Sequence, residues 1–140
     1  MTNDVTYSIE ETVTTDEFIA VLKSSGLAER RPADNPARIA MMLENANLMV
    51  CARDSDGVLI GVSRCLTDFT YCCYCSDVAV DAAWQHKGVG RELLRLSRDA
   101  AGPDASFVLL SAPAAMGYYP KIGLEKMENC FGVRRHVPAQ

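Results

Sequence analysis

The chain has 140 residues, of which 49% are hydrophobic and 23% charged, and a formal net charge of −4. That length suits one domain with a real core, and the mildly acidic balance argues against nucleic acid as a partner, which would call for a basic face. No run is apolar for the length of a membrane span, and residues 1–18 lack the basic start and apolar centre of a secretory signal, so the expectation is a cytoplasmic protein with no membrane partner.

From the N-terminus, residues 7–12 form a weakly alternating strand candidate. Thr14 then opens a helix, because Thr14 and Glu17 make a capping box. Phe18, Ile19, Val21 and Leu22 give that helix an apolar stripe, and Ser25-Gly26 ends it. The polar link ERRPADNP leads to a second helix, with Asn35 as its cap and Pro36 in a first turn that needs no N–H. Residues 48–53 and 58–66 read as strands around Asp54-Ser55-Asp56-Gly57, whose Asp-Gly pair signals a hairpin. A third strand covers 71–80, which makes an antiparallel meander.

A helix follows over 88–101, with Val89, Leu93, Leu96 and Ala100 on its buried side and Arg91, Arg95 and Arg98 exposed. Gly102-Pro103 stops it. Residues 107–110 form a short strand, and 114–121 a short helix whose regularity Pro120 limits. Residues 124–135 are expected to complete the sheet as one or two strands, broken near Gly132. With no repeat, low-complexity tract or linker, residues 1–140 read as a single α+β domain.

The six cysteines are Cys51, Cys65, Cys72, Cys73, Cys75 and Cys130. In a reducing compartment they act as small buried apolar residues. Cys72 and Cys75 have a C-x-x-C spacing, but they lie in a strand, no second pair follows, and His86 and His136 are far apart. No metal is expected.

The stretch WQHKGVGRELL, residues 84–94, carries the chemistry. A strand, a short loop and Gly88-Val89-Gly90 at a helix start make an anion site, since first-turn N–H groups have no internal partner. Glycine lets phosphate oxygens approach the backbone, and Lys87 and Arg91 add positive charge at the rim. A P-loop fails because Arg91-Glu92 follows Gly90. A dinucleotide fingerprint fails because Leu93 takes the third glycine position.

What remains is Gln85-x-x-Gly88-x-Gly90 after Asp77-Val78-Ala79-Val80. It resembles the acyl-CoA signature [QR]-x-x-G-x-[GA] of the GNAT N-acetyltransferase superfamily. AAMGYYPKIGL, residues 114–124, is similar to that family's downstream motif at Ala115, Tyr118, Tyr119, Lys121, Gly123 and Leu124. The chain departs from the family at Ala112, where an Asn is common, and at Pro120.

The resemblance implies a mixed, mostly antiparallel sheet with a splayed strand pair and helices on both faces. It implies acetyl-CoA as co-substrate and direct attack by a primary amine of a small molecule or peptide. The diphosphate would sit on the amides of His86, Lys87, Gly88, Val89, Gly90 and Arg91, with Gln85 completing the signature. The main chain of Val78, Ala79 and Val80 would hold the pantetheine and acetyl carbonyl, with Ala115, Tyr118 and Lys121 also along the cofactor. Tyr119 stands where the family carries the acid for the departing thiolate. Arg30 and Arg31 fall where the family builds its acceptor site.

An alkylamine is almost wholly protonated at pH 7, so Asp77, at the strand end, is the candidate base; a carboxylate that pairs locally is the alternative. A non-catalytic acyl-CoA sensor and a cysteine-based redox or metal protein are the competing functions. Exposed sheet edges allow a homodimer.

Overall fold

The computed structural model describes residues 4–135. They fall into two compact units, one ending at Leu110 and one starting at Ser111. In the first, β1 (Thr6–Ile9), β2 (Leu48–Arg53), β3 (Leu59–Thr67), β4 (Cys72–Val80) and β5 (Ser106–Leu109) form one sheet in the order β1-β2-β3-β4-β5. The first three pairings are antiparallel and β4–β5 is parallel.

Two helices cover one face. In α1 (Thr15–Ser25) the Thr14 side chain accepts from the Glu17 amide while the Glu17 carboxylate accepts from the Thr14 amide, the predicted capping box. In α2 (Pro36–Glu44) Asn35 accepts from the Arg38 amide, and Pro36 occupies the first turn. Phe18, Val21 and Leu22 of α1 and Ile39 of α2 pack on Met49, Cys51, Val62 and Ala79. Burying each such aliphatic side chain contributes about 1.5–3 kcal/mol.

The other face carries α3 (Val89–Ala101). A Cβ on Gly61 of β3 would stand 3.1 Å from Leu93 and Val89, so the helix start rests directly on the strand. Buried Val89, Leu93, Ser97 and Ala101 follow an i, i+4 row joined by Leu94. Leu96 and Ala100, expected in the core, are half-buried at its margin.

The hairpins are closed by carboxylates. Asp54 accepts from the amides of Asp56 and Val58. Asp68 accepts from those of Thr70, Tyr71 and Cys72, which pull its carboxyl down to about 2. At the sheet edge, Arg53 grips both oxygens of Glu10 and one of Glu17, tying β2 to the chain after β1 and to α1. The second unit holds a 3-10 turn at Pro113–Ala115 and one helical turn, α4 (Tyr118–Lys121). Pro120 fits α4 because it lies in a first turn, where no N–H is needed. The strands expected over 124–135 are not formed: no strand lies in these described residues. Glu125, Lys126 and Glu128 spoil the two-residue alternation there.

Candidate active site

The nine residues of β4 pair with β5 only through Cys72–Cys75. Residues 77–80 keep β3 on one side and have no β5 partner on the other. The parting follows a bulge: Arg64 faces Asp77 and Cys65 faces Cys75, which leaves Ser76 extra. Val78, Ala79 and Val80 lie on this open stretch.

The chain then turns through a 3-10 segment, Ala82–Trp84, capped by Asp81, whose side chain accepts from the Ala83 amide. Gln85 braces the turn: its amide nitrogen donates to the carbonyls of Val80 at 2.9 Å and Ser25 at 3.3 Å. Both Gln85 hydrogens are thus directed at main-chain carbonyls. His86 (φ 64°) and Gly88 (φ 86°) are left-handed, an alternation that aims successive amides to one side. Gly88 caps α3 with no side-chain bond, and the first helical amide to return to the backbone is that of Glu92, on the Gly88 carbonyl. Among the described residues, the amides from His86 to Arg91 have no acceptor. The α3 dipole adds partial positive charge at the same point.

Lys87 stands with its ammonium 5.4 Å from the Trp84 ring centre. Both line an open cleft of about 580 Å³ with Asp4, Val5, Tyr7 and Val89. Burial pushes the Tyr7 phenol up, aided by the charge of Glu92.

Asp77 lies in an ion cluster. Only 1% exposed, it accepts from Arg31 Nε on one oxygen and from Arg64 Nε on the other. Arg31 also donates from Nη2 to the Ser76 carbonyl at 2.8 Å, and Arg64 from Nη2 to the Ser76 hydroxyl at 2.9 Å. Two guanidiniums therefore clamp the bulge, and the carboxylate serves as their shared counter-ion. This is the local-pairing alternative. Arg64 is the residue that sequence reasoning missed, although an arginine amid the apolar run LIGVSRCLT is itself a signal that an acid lies on a neighbouring strand. Arg30 is exposed and contributes its carbonyl to Arg31.

On the α3 side of the bulge lie Cys65, Cys73 and Cys75, all buried. Ser63 contacts the sulfurs of Cys65 and Cys75 at 3.5 and 3.4 Å and accepts from Ser97. The Cys75 thiol is pushed up by its contact with Cys65 and by burial, which opposes its use as a nucleophile. Among the described residues no group of three or more His, Cys, Asp or Glu could hold a metal ion, and no helix is long and apolar enough to cross a membrane.

The structure thus brings Arg31, Asp77 and residues 78–91 together in the first unit. Ala115, Tyr118, Tyr119 and Lys121 belong to the second. There Ala115 ends the 3-10 turn, and the other three lie in α4. The rings of Tyr118 and Tyr119 meet edge to face at 5.4 Å. The Tyr119 carbonyl accepts from the amides of Ile122 and Leu124, which fixes the turn after the helix.

The family model described as Acetyltransferase (GNAT) family matches residues 12–124. The chain belongs to this family. Its fold is shared with a candidate acetyltransferase from Deinococcus radiodurans, at 26% identity and a TM-score of 0.73 over 97% of this chain and 95% of that one. A candidate acetyltransferase from methicillin-resistant Staphylococcus aureus aligns at 19% identity and a TM-score of 0.79, over 96% and 100% of the two chains. The GNAT family N-acetyltransferase YhbS of Escherichia coli, solved in complex with CoA, aligns at 20% identity and a TM-score of 0.69, over 89% and 71%. No curated protein matches the sequence. The mixed sheet with helices on both faces is the GNAT arrangement.

Proposed function

We propose that the protein is an acetyl-CoA-dependent N-acetyltransferase that acts on a primary amine, and that its two units work as one catalytic domain. The observation that carries this reading is the row of acceptor-less amides from His86 to Arg91, set beside a strand with an open edge. Such a row suits a diphosphate, and the edge of Val78 and Val80, on either side of Ala79, offers main-chain partners to an extended amide-bearing arm. Lys87 and Arg91 supply the rim charge. Ala115, Tyr118 and Lys121 are assigned to the cofactor on the family motif.

In the reaction, the amine nitrogen bonds to the thioester carbonyl carbon and releases a proton to water, the carbon–sulfur bond breaks, and the thiolate takes a proton. Tyr119 is assigned as the donor of that proton. Asp77 is given no role in proton transfer, because it is buried and each oxygen accepts from a guanidinium that stabilises its charged form. The amine thus reacts from its neutral fraction or loses its proton to water.

The test is calorimetry with acetyl-CoA, followed by transfer to an amine panel. Trp84, the sole tryptophan, reports the same event through its emission. Absence of uptake at millimolar acetyl-CoA refutes the assignment. Uptake without transfer to any amine establishes the acyl-CoA sensor in its place.

A further inference from the structure

The ion cluster at the bulge has more charge than its local pairing uses. Arg31 and Arg64 bring two guanidinium charges and share one carboxylate, so the group carries one surplus positive charge. Among the described residues neither arginine has a second acidic partner. Arg64 is 7% exposed, whereas the Arg31 side chain is 22% exposed, so the surplus faces outward through Arg31. A positive charge partly withdrawn from water draws an anion.

Arg31 is also arranged to receive one. Its Nε is taken by Asp77, one Nη2 hydrogen by the Ser76 carbonyl and one Nη1 hydrogen by the Arg30 carbonyl. Of five guanidinium N–H bonds, these uses leave one on each terminal nitrogen. Carboxylates and phosphates take such a pair as two parallel bonds. Because the inner edge is already bound, the outer edge is held still before any ligand arrives.

The position ties this fork to the reaction. Ser76 precedes Val78 by two residues, so at ~3.3 Å per residue the anchor of Arg31 lies ~7 Å along β4 from the start of the proposed acyl-binding edge. That is within the span of one small metabolite.

We infer that Arg31, held by Asp77 and Ser76 and backed by Arg64, recognises an anionic group on the acceptor, whose class is therefore an amine that also bears a carboxylate or a phosphate. This rests on the acyltransferase reading and narrows its substrate.

The test uses the full chain with acetyl-CoA and matched amines: α-amino acids against their amides, and O-phosphoethanolamine against ethanolamine. CoA release is followed by chromatography, so the protein thiols do not interfere. The anionic member of at least one series is expected to exceed its neutral partner in kcat/KM by about ten-fold or more. Arg31→Gln brings that ratio close to one, and Arg31→Lys, which keeps the charge and the ion pair, retains part of it. The two series separate carboxylate from phosphate as the preferred anion. Neutral members used equally well, transfer to no anionic amine of the panel by a protein that takes up acetyl-CoA, or an unchanged ratio in Arg31→Gln each overturns the inference. Failure of wild-type protein to take up acetyl-CoA refutes the acyltransferase reading instead, and this inference falls only as its consequence.

Discussion

Replacing Asp77 with Asn separates a structural carboxylate from a catalytic one. The change keeps the shape and removes the charge. Arg64, 7% exposed, then has no counter-ion, and the Asn amide group confronts one guanidinium with a donor facing a donor. Removing one partner of a buried ion pair costs about 3–5 kcal/mol. The Arg31 half is partly solvated, so its share is discounted, and the lower part of that range applies. A domain of this size has a total stability of about 5–15 kcal/mol. At roughly 3–6 °C per kcal/mol, the expected loss in melting temperature is about 10–20 °C. Thermal unfolding followed by circular dichroism at pH 7 measures it directly. If Asp77→Asn yields no soluble protein, the pair Arg64→Met with Asp77→Leu, which removes both buried charges, is expected to fold. A variant that melts within about 2 °C of wild type yet has lost turnover would refute this reasoning. Asp77 would then be the base.

Further expectations follow from other parts of the structure. Gly88→Val forces a β-branched residue to φ 86° at the start of α3, so acetyl-CoA affinity should fall about five- to a hundred-fold by calorimetry through strain of about 1–3 kcal/mol. Tyr119→Phe should lower turnover by roughly ten- to a thousand-fold with little change in acetyl-CoA affinity, as read by steady-state kinetics beside calorimetry. Glu10 and Glu17 are held below the ordinary 4.5 first of all by their hydrogen bonds from Arg53. Their folded values lie below the unfolded ones, so their stabilisation is present above about pH 4.5 and is lost as pH falls through the depressed values. The melting temperature should therefore drop below pH 4.5 more steeply in wild type than in Arg53→Met. Gly61→Val should destabilise by about 1–3 kcal/mol in urea unfolding, because its side chain meets Leu93 and Val89.

Local chemistry made much of this legible. The Thr14–Glu17 box, the Asn35-Pro36 start and the Asp54–Gly57 turn are properties of a few adjacent residues, and each sits where its spacing indicates. The glycine turn was legible for the same reason, because Gly88 is the left-handed cap that the helix start requires. Features that depend on distant residues were not. The bulge at Ser76 exists through Arg31 and Arg64, 45 and 12 residues away. No periodicity encodes that meeting. The role of Asp77 turns on the same place, since a carboxylate's role is set by who reaches its oxygens, and here two distant arginines do. Residues 124–135 failed for the converse reason: apolar residues such as Phe131 and Val133 suggest a strand, but a strand also needs a partner edge.

Moving Asp77 out of the proton-transfer chain changes the electrostatics asked of the acceptor. A free carboxylate beside the amine would stabilise its protonated form and then have to remove the proton. A cluster with surplus positive charge does the reverse: it disfavours an ammonium nearby and so raises the neutral, nucleophilic fraction without accepting a proton itself. The same charge would repel a simple alkylammonium on approach. An acceptor that carries its own anion resolves the conflict, because the anion pairs with the guanidinium surplus and removes the repulsion that a simple alkylammonium would meet. The bulge clamp and the surplus charge therefore favour one kind of substrate. Dismantling the clamp should cost the protein its proposed choice of acceptor as well as its stability.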